Sequence, residues 1–171
     1  MLKIETYKPS SLVKGTSERS HVLVCLRYIA DRLSRVDKEE CHAVGKIPEL
    51  AVFDCFFSSK EACLIFRTEE CSVPVCIGAF GVKEDTLIGS KTGTPWVFIT
   101  QHVARRHRIA LARLSKQGVE QLMKHYNKLE NCVYCKNVVA QRWLKWLGFT
   151  MTDRYIMSVA GQKFRYYYME K

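Results

Sequence analysis

The sequence predicts an α/β fold, because strand-forming runs and amphipathic helices alternate along the chain. Residues 96–100 read Trp-Val-Phe-Ile-Thr, a sharply bounded strand of aromatic and β-branched residues. Residues 109–129 carry apolar side chains at helical spacing. A strand-like run at 131–135 is then followed by another amphipathic helix. The chain has 171 residues, enough for one ordinary domain, so we expect a single domain over residues 1–171.

The first third of the chain predicts one strand and one long helix. Residues 1–7 alternate weakly and predict a strand that Pro9 ends. Residues 18–36 predict a helix, because apolar residues recur there at three- and four-residue steps. Those residues are Val22, Leu26, Ile29, Leu33 and Val36. Residues 50–57 fit either a short helix or a buried strand.

The middle of the chain predicts a hairpin followed by a loop. Residues 63–66 and 73–82 are strand-like, and the polar segment 69–72 between them predicts a turn. Residues 83–95 are polar and contain two glycines and a proline, so we expect a surface loop there.

The C-terminal third predicts a capped helix and a hairpin. Asn137 stands where an N-cap is expected, and Gly148 stands where a left-handed residue commonly ends a helix. Between them, the apolar face consists of Ala140, Trp143, Leu144 and Leu147. Residues 152–159 and 163–169 are rich in strand formers and predict a terminal hairpin.

Charge and composition restrict the classes of function. Lys and Arg total 27 and Asp and Glu total 17, which gives a formal charge of +10. This charge fits either a phosphate-bearing partner such as coenzyme A or simply a solvated surface rich in Lys and Arg. Nucleic-acid binding has no support beyond this charge, since no zinc-finger spacing or basic heptad region is present. The sequence contains no signal peptide and no apolar run long enough to cross a bilayer. We therefore expect a cytoplasmic protein without a membrane partner.

Eight cysteines raise the question of a metal site. The only close pair is Cys132 and Cys135, on a predicted strand where residues three apart point to opposite faces. We therefore expect no metal and reduced, largely buried thiols.

The succession of strand, Asn137-capped helix, Gly148-Phe149 and hairpin resembles the end of the GNAT (Gcn5-related N-acetyltransferase) fold. This resemblance implies a mixed, mostly antiparallel sheet of six or seven strands with helices on both faces. It also implies an enzyme that transfers an acetyl group from acetyl-CoA directly to an amine acceptor, which could be a protein.

The resemblance also implies a cofactor site. In this family the pantetheine arm lies along a strand that corresponds to Phe98, Ile99 and Thr100, and Asn137 lies near it. The pyrophosphate is held at the start of the following helix. That segment corresponds here to Arg105, Arg106, His107, Arg108, Ile109 and Ala110. Arg108 stands where the family pattern has its first glycine; a bulky side chain there can block the phosphate or bind it bidentately.

The catalytic residues are less clearly indicated. Leu144 occupies the position at which family members often carry a tyrosine that protonates the departing thiolate. Tyr134 and Cys135, at the end of the preceding strand, are the alternatives for this acid. His102 and His107 are candidates for the base, because histidine titrates near neutral pH.

One branch of the family offers a second interpretation. The Trp-Val-Phe-Ile-Thr strand together with residues 137–149 resembles small GNAT-like proteins of short-tailed bacteriophages. Members of that branch also lack the glycine loop and the tyrosine, and some are linked to virion morphogenesis. The alternative to an acyltransferase is therefore a catalytically degenerate GNAT-fold protein that acts in virion assembly or binds a host protein.

Overall fold

A computed structural model describes residues 2–68, 73–85, 91–101 and 107–171. It contains one seven-stranded mixed sheet in the order β1-β2-β3-β4-β5-β7-β6. The strands are β1 Leu2–Tyr7, β2 Glu61–Arg67, β3 Val75–Glu84, β4 Thr92–Ile99, β5 Lys128–Tyr134, β6 Thr150–Met157 and β7 Lys163–Glu170. Strands β4 and β5 run parallel, and the sheet is mostly antiparallel. The predicted α/β class and the predicted mixed, mostly antiparallel sheet of six or seven strands are confirmed.

The described residues form five α-helices. They are α1 Ser17–Asp31, α2 Arg35–Ala43, α3 Pro48–Phe57, α4 Arg108–His125 and α5 Val138–Leu147. The segment 50–57 is thus helical, and Pro48 at the first position of α3 suits a helix start, where an N–H has no intrahelical partner. None of these helices is both long and apolar enough to span a bilayer.

The chain divides into two compact units. The first comprises residues 1–34, 48–83 and 96–108. It holds most of the largest fully buried side chains in the described residues, namely Phe56, Leu26, Ile29, Leu64, Ile77, Val22 and Val52. Each such side chain stabilises the fold by about 1.5–3 kcal/mol relative to its exposure.

The second unit comprises residues 35–47, 84–95 and 109–171. Its hairpin pairs β6 with β7, and β5 pairs along its whole length with residues 164–170 of β7. Ala43 of α2, Tyr134 of β5 and Phe164 of β7 form a buried cluster, against which Val36 and Cys132 pack. This cluster anchors α2 beside the end of β5.

The predicted helix over 18–36 is too long. Helix α1 ends at Asp31, where the Arg32 N–H bonds the Ile29 carbonyl. Leu33 leaves the helix and forms an isolated antiparallel bridge with Thr100, and Val36 belongs to α2. The apolar spacing continues across two elements because both bury one side, so periodicity alone did not reveal the break.

Two further boundaries differ from the sequence prediction. The segment 83–95 was expected to be a loop, but β3 continues to Glu84 and β4 begins at Thr92. The helix predicted over 109–129 ends at His125, and Leu129 is fully buried in β5. In both cases strand pairing over polar residues overrides the local pattern. The predicted turn at 69–72 lies outside the described residues.

Candidate functional site

The predicted cofactor residues Phe98 and Ile99 end strand β4, and Thr100 follows them. Their backbone N–H groups point alternately to the two edges of the strand. The Thr100 N–H donates to the Ile77 carbonyl at 2.9 Å, so this group is used within the sheet. Because successive N–H groups alternate between the two edges of a strand, the Ile99 N–H points away from β3. On that side Gln101 N–H bonds the Arg32 carbonyl next to the Leu33 bridge. The edge that points away from β3 is therefore paired with Leu33 at Thr100. Among the predicted backbone N–H donors, that of Ile99 is better placed than that of Thr100 to bind a cofactor.

The predicted phosphate-binding segment is described in part. Arg108 is exposed and is the first residue of α4, while Ile109 is 71% exposed and Ala110 is half-buried. No acidic residue lies in the first turn of α4, so this turn supplies no carboxylate to offset the positive end of the helix dipole. His107 precedes the helix and is half-buried. His102, Arg105 and Arg106 lie outside the described residues.

In the second unit, two kinds of contact link β4 to β5: backbone pairing at the start of the strands, and a side-chain hydrogen bond further along them. Backbone pairing joins Thr92 with Lys128 and Gly93 with Leu129. Two residues further on, the Asn131 side-chain amide donates to the Pro95 carbonyl at 3.0 Å. The Asn131 side-chain oxygen accepts from the Cys132 N–H at 2.7 Å. The Asn131 side chain thus bonds one backbone group of each strand, the Pro95 carbonyl of β4 and the Cys132 N–H of β5. It does so at the point where Pro95 has no N–H that could donate to a neighbouring strand.

Asn137 is buried at the centre of a partly buried polar group that we call the Asn137 cluster: Asp37, Glu40, Tyr134 and Asn137. The Asn137 Oδ1 accepts from the Ala140 N–H at 3.1 Å and so caps α5, as predicted. Its Nδ2 donates to Asp37 Oδ1 at 3.0 Å and to Glu40 Oε2 at 2.9 Å. The other Glu40 oxygen accepts from the Tyr134 N–H at 3.0 Å. The cluster ties α2 to the end of β5 and the start of α5.

Glu40 carries the clearest electrostatic perturbation in this cluster. Burial raises its pKa above the ordinary value of 4.5, because the charged form loses hydration. Hydrogen bonds from Asn137 and from the Tyr134 N–H oppose the shift, and the nearby Asp37 charge adds to it. A carboxyl group with a raised pKa can exchange protons closer to neutral pH than a solvated one.

Sequence analysis did not single out Asp37 or Glu40. A usable signal existed: Val36, Glu40 and Ala43 follow helical spacing, Ala43 belongs to the buried cluster, and Val36 packs against it. A carboxylate within such an apolar stripe indicates a buried, hydrogen-bonded group. The signal was missed because residues 18–36 were assigned to one helix and α2 was not recognised.

Of the predicted acids, Tyr134 belongs to this cluster and Cys135 follows it in the chain, and both are engaged in contacts within the fold. Tyr134 is buried, its hydroxyl donates to Gln162 Oε1 at 3.0 Å, and its ring packs against Phe164 at 5.4 Å. The half-buried Cys135 bonds through its N–H to the Lys163 carbonyl. Leu144 is half-buried on α5.

The cysteines are free thiols wherever the structure describes them. Burial raises the pKa of the Cys132 thiol. Over the described ranges, no three His, Cys, Asp or Glu side chains lie close enough together to hold a metal ion.

Comparison with known proteins identifies the fold. No protein-family model matches the sequence, and no match was found among curated protein sequences. Solved structures do match over the whole chain. A GNAT-family acetyltransferase from Streptococcus pneumoniae aligns over 100% of both chains with a TM-score of 0.64 and 12% identity.

Two further matches act on amines of different kinds. A variant of the spermidine N-acetyltransferase of Vibrio cholerae aligns over 99% of this chain and 93% of its own, with a TM-score of 0.60 and 12% identity. The ribosomal-protein-S18-alanine N-acetyltransferase of Escherichia coli aligns over 99% and 94%, with a TM-score of 0.59 and 13% identity. The chain therefore has the GNAT fold over its full length.

Proposed function

We propose that this protein is an acetyl-CoA-dependent N-acyltransferase that transfers an acetyl group directly to an amine acceptor. The observation that carries the proposal is the match of the whole chain to the fold of N-acetyltransferases. Two of them are named for spermidine and for an alanine of a ribosomal protein, so both small amines and protein amines are reasonable acceptor classes here.

Strand β4 would bind the acyl donor. Acetyl-CoA would supply an activated acetyl group as a thioester. The Ile99 N–H points away from β3 and is the group we assign to the carbonyl oxygen, where charge develops during acyl transfer. Phe98 and Thr100 would flank it, and the Thr100 N–H is already bonded to Ile77.

The start of α4 would bind the pyrophosphate. Arg108 is exposed at the first position of this 18-residue helix, where the N–H groups of the first turn have no partner within the helix. We propose that the arginine replaces the glycine cradle of the family, with Arg105, Arg106 and His107 adding positive charge. Arginine binds phosphate through two parallel hydrogen bonds, which compensates for backbone contacts that a side chain prevents.

Proton transfer is assigned to residues near the end of β5. We propose Tyr134 or Cys135 as the donor to the departing thiolate and His102 as the base for the amine. The Tyr134 hydroxyl would have to exchange its bond to Gln162 for one to the thiolate. Asn137 would act by holding the end of β5 and the start of α5 in place, since both of its amide hydrogens are already donated.

Calorimetric titration with acetyl-CoA tests the donor site. The unmodified protein is expected to bind with a dissociation constant of about micromolar order, and Arg108→Glu is expected to weaken binding more than about tenfold. Lys116→Glu is the matched control, because it makes the same charge change on the exposed side of the same helix. Absence of binding at about millimolar ligand would overturn the proposal.

A second function is favoured by two residue replacements and by one hydrogen-bonded hydroxyl group in the proposed site. Arg108 replaces the glycine, Leu144 replaces the tyrosine, and the Tyr134 hydroxyl is bonded to Gln162. These features fit a catalytically degenerate GNAT-fold protein that acts in phage virion assembly or binds a host protein. Mass spectrometry of polyamines and peptide N-termini incubated with protein and acetyl-CoA distinguishes the two, since only an enzyme adds an acetyl group.

A further inference from the structure

We infer that the outer face of α5 is a docking surface for an acidic protein segment that carries apolar side chains. The face consists of five exposed residues: Val138, Val139, Arg142, Lys145 and Trp146. We call it the α5 outer face. The inference rests on neither proposed function, because none of these residues belongs to the proposed donor site or the Asn137 cluster.

The α5 outer face follows from helix geometry. At about 100° per residue, its five side chains fall within roughly 120° of the helix circumference. The opposite side carries the half-buried Ala140, Leu144 and Leu147. Asn137 caps the start of the helix and Gly148 its end. The outer face is therefore a fixed surface on a capped helix.

Large apolar side chains dominate this face. Val139 is 76% exposed, Trp146 is 55% exposed and Val138 is 50% exposed. The Trp146 ring is held against Trp143, with the ring centroids 5.5 Å apart. The two valines lie about 10–12 Å along the helix axis from Trp146, with Arg142 between them, so the face presents apolar side chains on either side of a cation. Exposed apolar side chains grouped on one helix face are typical of an interaction site. Tryptophan and arginine are also the residues that most often dominate binding energy at protein interfaces.

The charges on this face indicate the partner. Helix α5 contains no acidic residue, and within the described part of the chain neither Arg142 nor Lys145 makes an ion pair. Two unneutralised cations among exposed apolar side chains complement a segment that presents carboxylates around an apolar side chain. A second copy of this chain fits poorly, because a two-fold contact would place Arg142 and Lys145 against their own equivalents. Two cations are also few for a nucleic-acid backbone or an anionic membrane.

The test uses a synthetic helical peptide with leucines along one side and glutamates on both flanks. A control peptide of the same length carries lysine in place of every glutamate. Anisotropy titrations with the full chain are expected to show saturable binding of the acidic peptide and at least about tenfold weaker binding of the basic one. In heteronuclear spectra the acidic peptide is expected to shift the Trp146 indole N–H signal.

Variants of exposed residues locate the binding. Trp146→Ala and Lys145→Glu are each expected to weaken binding of the acidic peptide at least about tenfold. Lys116→Glu on α4 is expected to change its dissociation constant less than about twofold. Thermal unfolding checks that each variant is folded, and acetyl-CoA titration checks that its donor site is unchanged.

Four outcomes would overturn the inference. They are no saturable binding of the acidic peptide, equal binding of both peptides, no effect of Trp146→Ala, and tighter Trp146-dependent binding of an oligonucleotide or of anionic phospholipid vesicles. The last outcome would assign the face to a phosphate-bearing partner instead.

Discussion

Asn137 shows how one buried side chain can hold three elements together. It accepts from the first turn of α5 and donates to Asp37 and to Glu40 of α2. Glu40 in turn bonds the Tyr134 N–H at the end of β5. Only an amide can accept and donate in this way, since a carboxylate has no donor and a hydroxyl has one. The residue identity is therefore set by its position between a helix start and two carboxylates.

Replacing Asn137 with alanine tests this arrangement. The change removes the helix cap, which costs about 1 kcal/mol, and leaves two carboxylates without their shared donor. We expect a total loss of about 2–4 kcal/mol in the free energy of unfolding, measured by urea denaturation. Asn137→Ser restores only the cap and is expected to recover about 1 kcal/mol. Asn127→Ala, at an exposed position, is the control, and an equal loss there would contradict the interpretation.

The pH dependence of stability tests Glu40. Its folded pKa is raised above the ordinary 4.5, mainly by burial, so the folded state holds this proton more tightly than the unfolded state. The contribution of Glu40 to stability is therefore largest below about pH 4.5 and is lost as the pH rises through the folded pKa. Glu40→Gln removes this titration. The stability of the unmodified protein relative to Glu40→Gln is thus expected to fall with rising pH over this window.

Urea denaturation at several pH values measures this difference. Glu39→Gln on the same helix is the control, because Glu39 makes only an exposed ion pair with Arg35 that solvent screens. Its stability is expected to run parallel to that of the unmodified protein. If the stability of the unmodified protein relative to Glu40→Gln instead rises with pH, the hydrogen bonds to Glu40 outweigh the effect of burial on its pKa.

At the scale of single elements, α5 is the part of the chain in which local signals and tertiary structure agree. Its bounds, its Asn137 cap and its Gly148 terminus were all predicted correctly. Gly148 adopts φ +101°, and its N–H bonds the Leu144 and Lys145 carbonyls. The left-handed conformation explains why glycine stands there, because a Cβ is unfavourable in it.

Substitution of Gly148 tests this terminus. Gly148→Ala is expected to destabilise the protein by about 1–2 kcal/mol, because alanine resists the left-handed conformation while its Cβ meets Met169 only at ordinary contact distance. Gly148→Asn is expected to cost less, since asparagine tolerates this region better. Thermal or urea unfolding measures both. Equal losses for the two variants would indicate a steric cause instead.

At the scale of the whole molecule, burial and charge are distributed differently along the chain. Large, fully buried side chains of the described residues concentrate in the first unit, whereas the Asn137 cluster and the α5 outer face belong to the second. The net charge of +10 belongs to the chain as a whole and fits both a phosphate-bearing donor and an acidic partner. Its distribution, rather than its total, decides which partner each surface favours.

The sequence by itself determined the α/β fold, the order of most strands and helices, and the capped helix with its terminal hairpin. These features depend on local periodicity, caps and strand propensity, which are encoded in neighbouring residues. Tertiary structure alone decided where α1 ends, that polar residues 92–95 join a strand, and that Glu40 meets Asn137. It also decided that the Thr100 N–H is used within the sheet and that Trp146 is exposed. These outcomes depend on contacts between residues far apart in the chain, and local propensity carries no information about such partners.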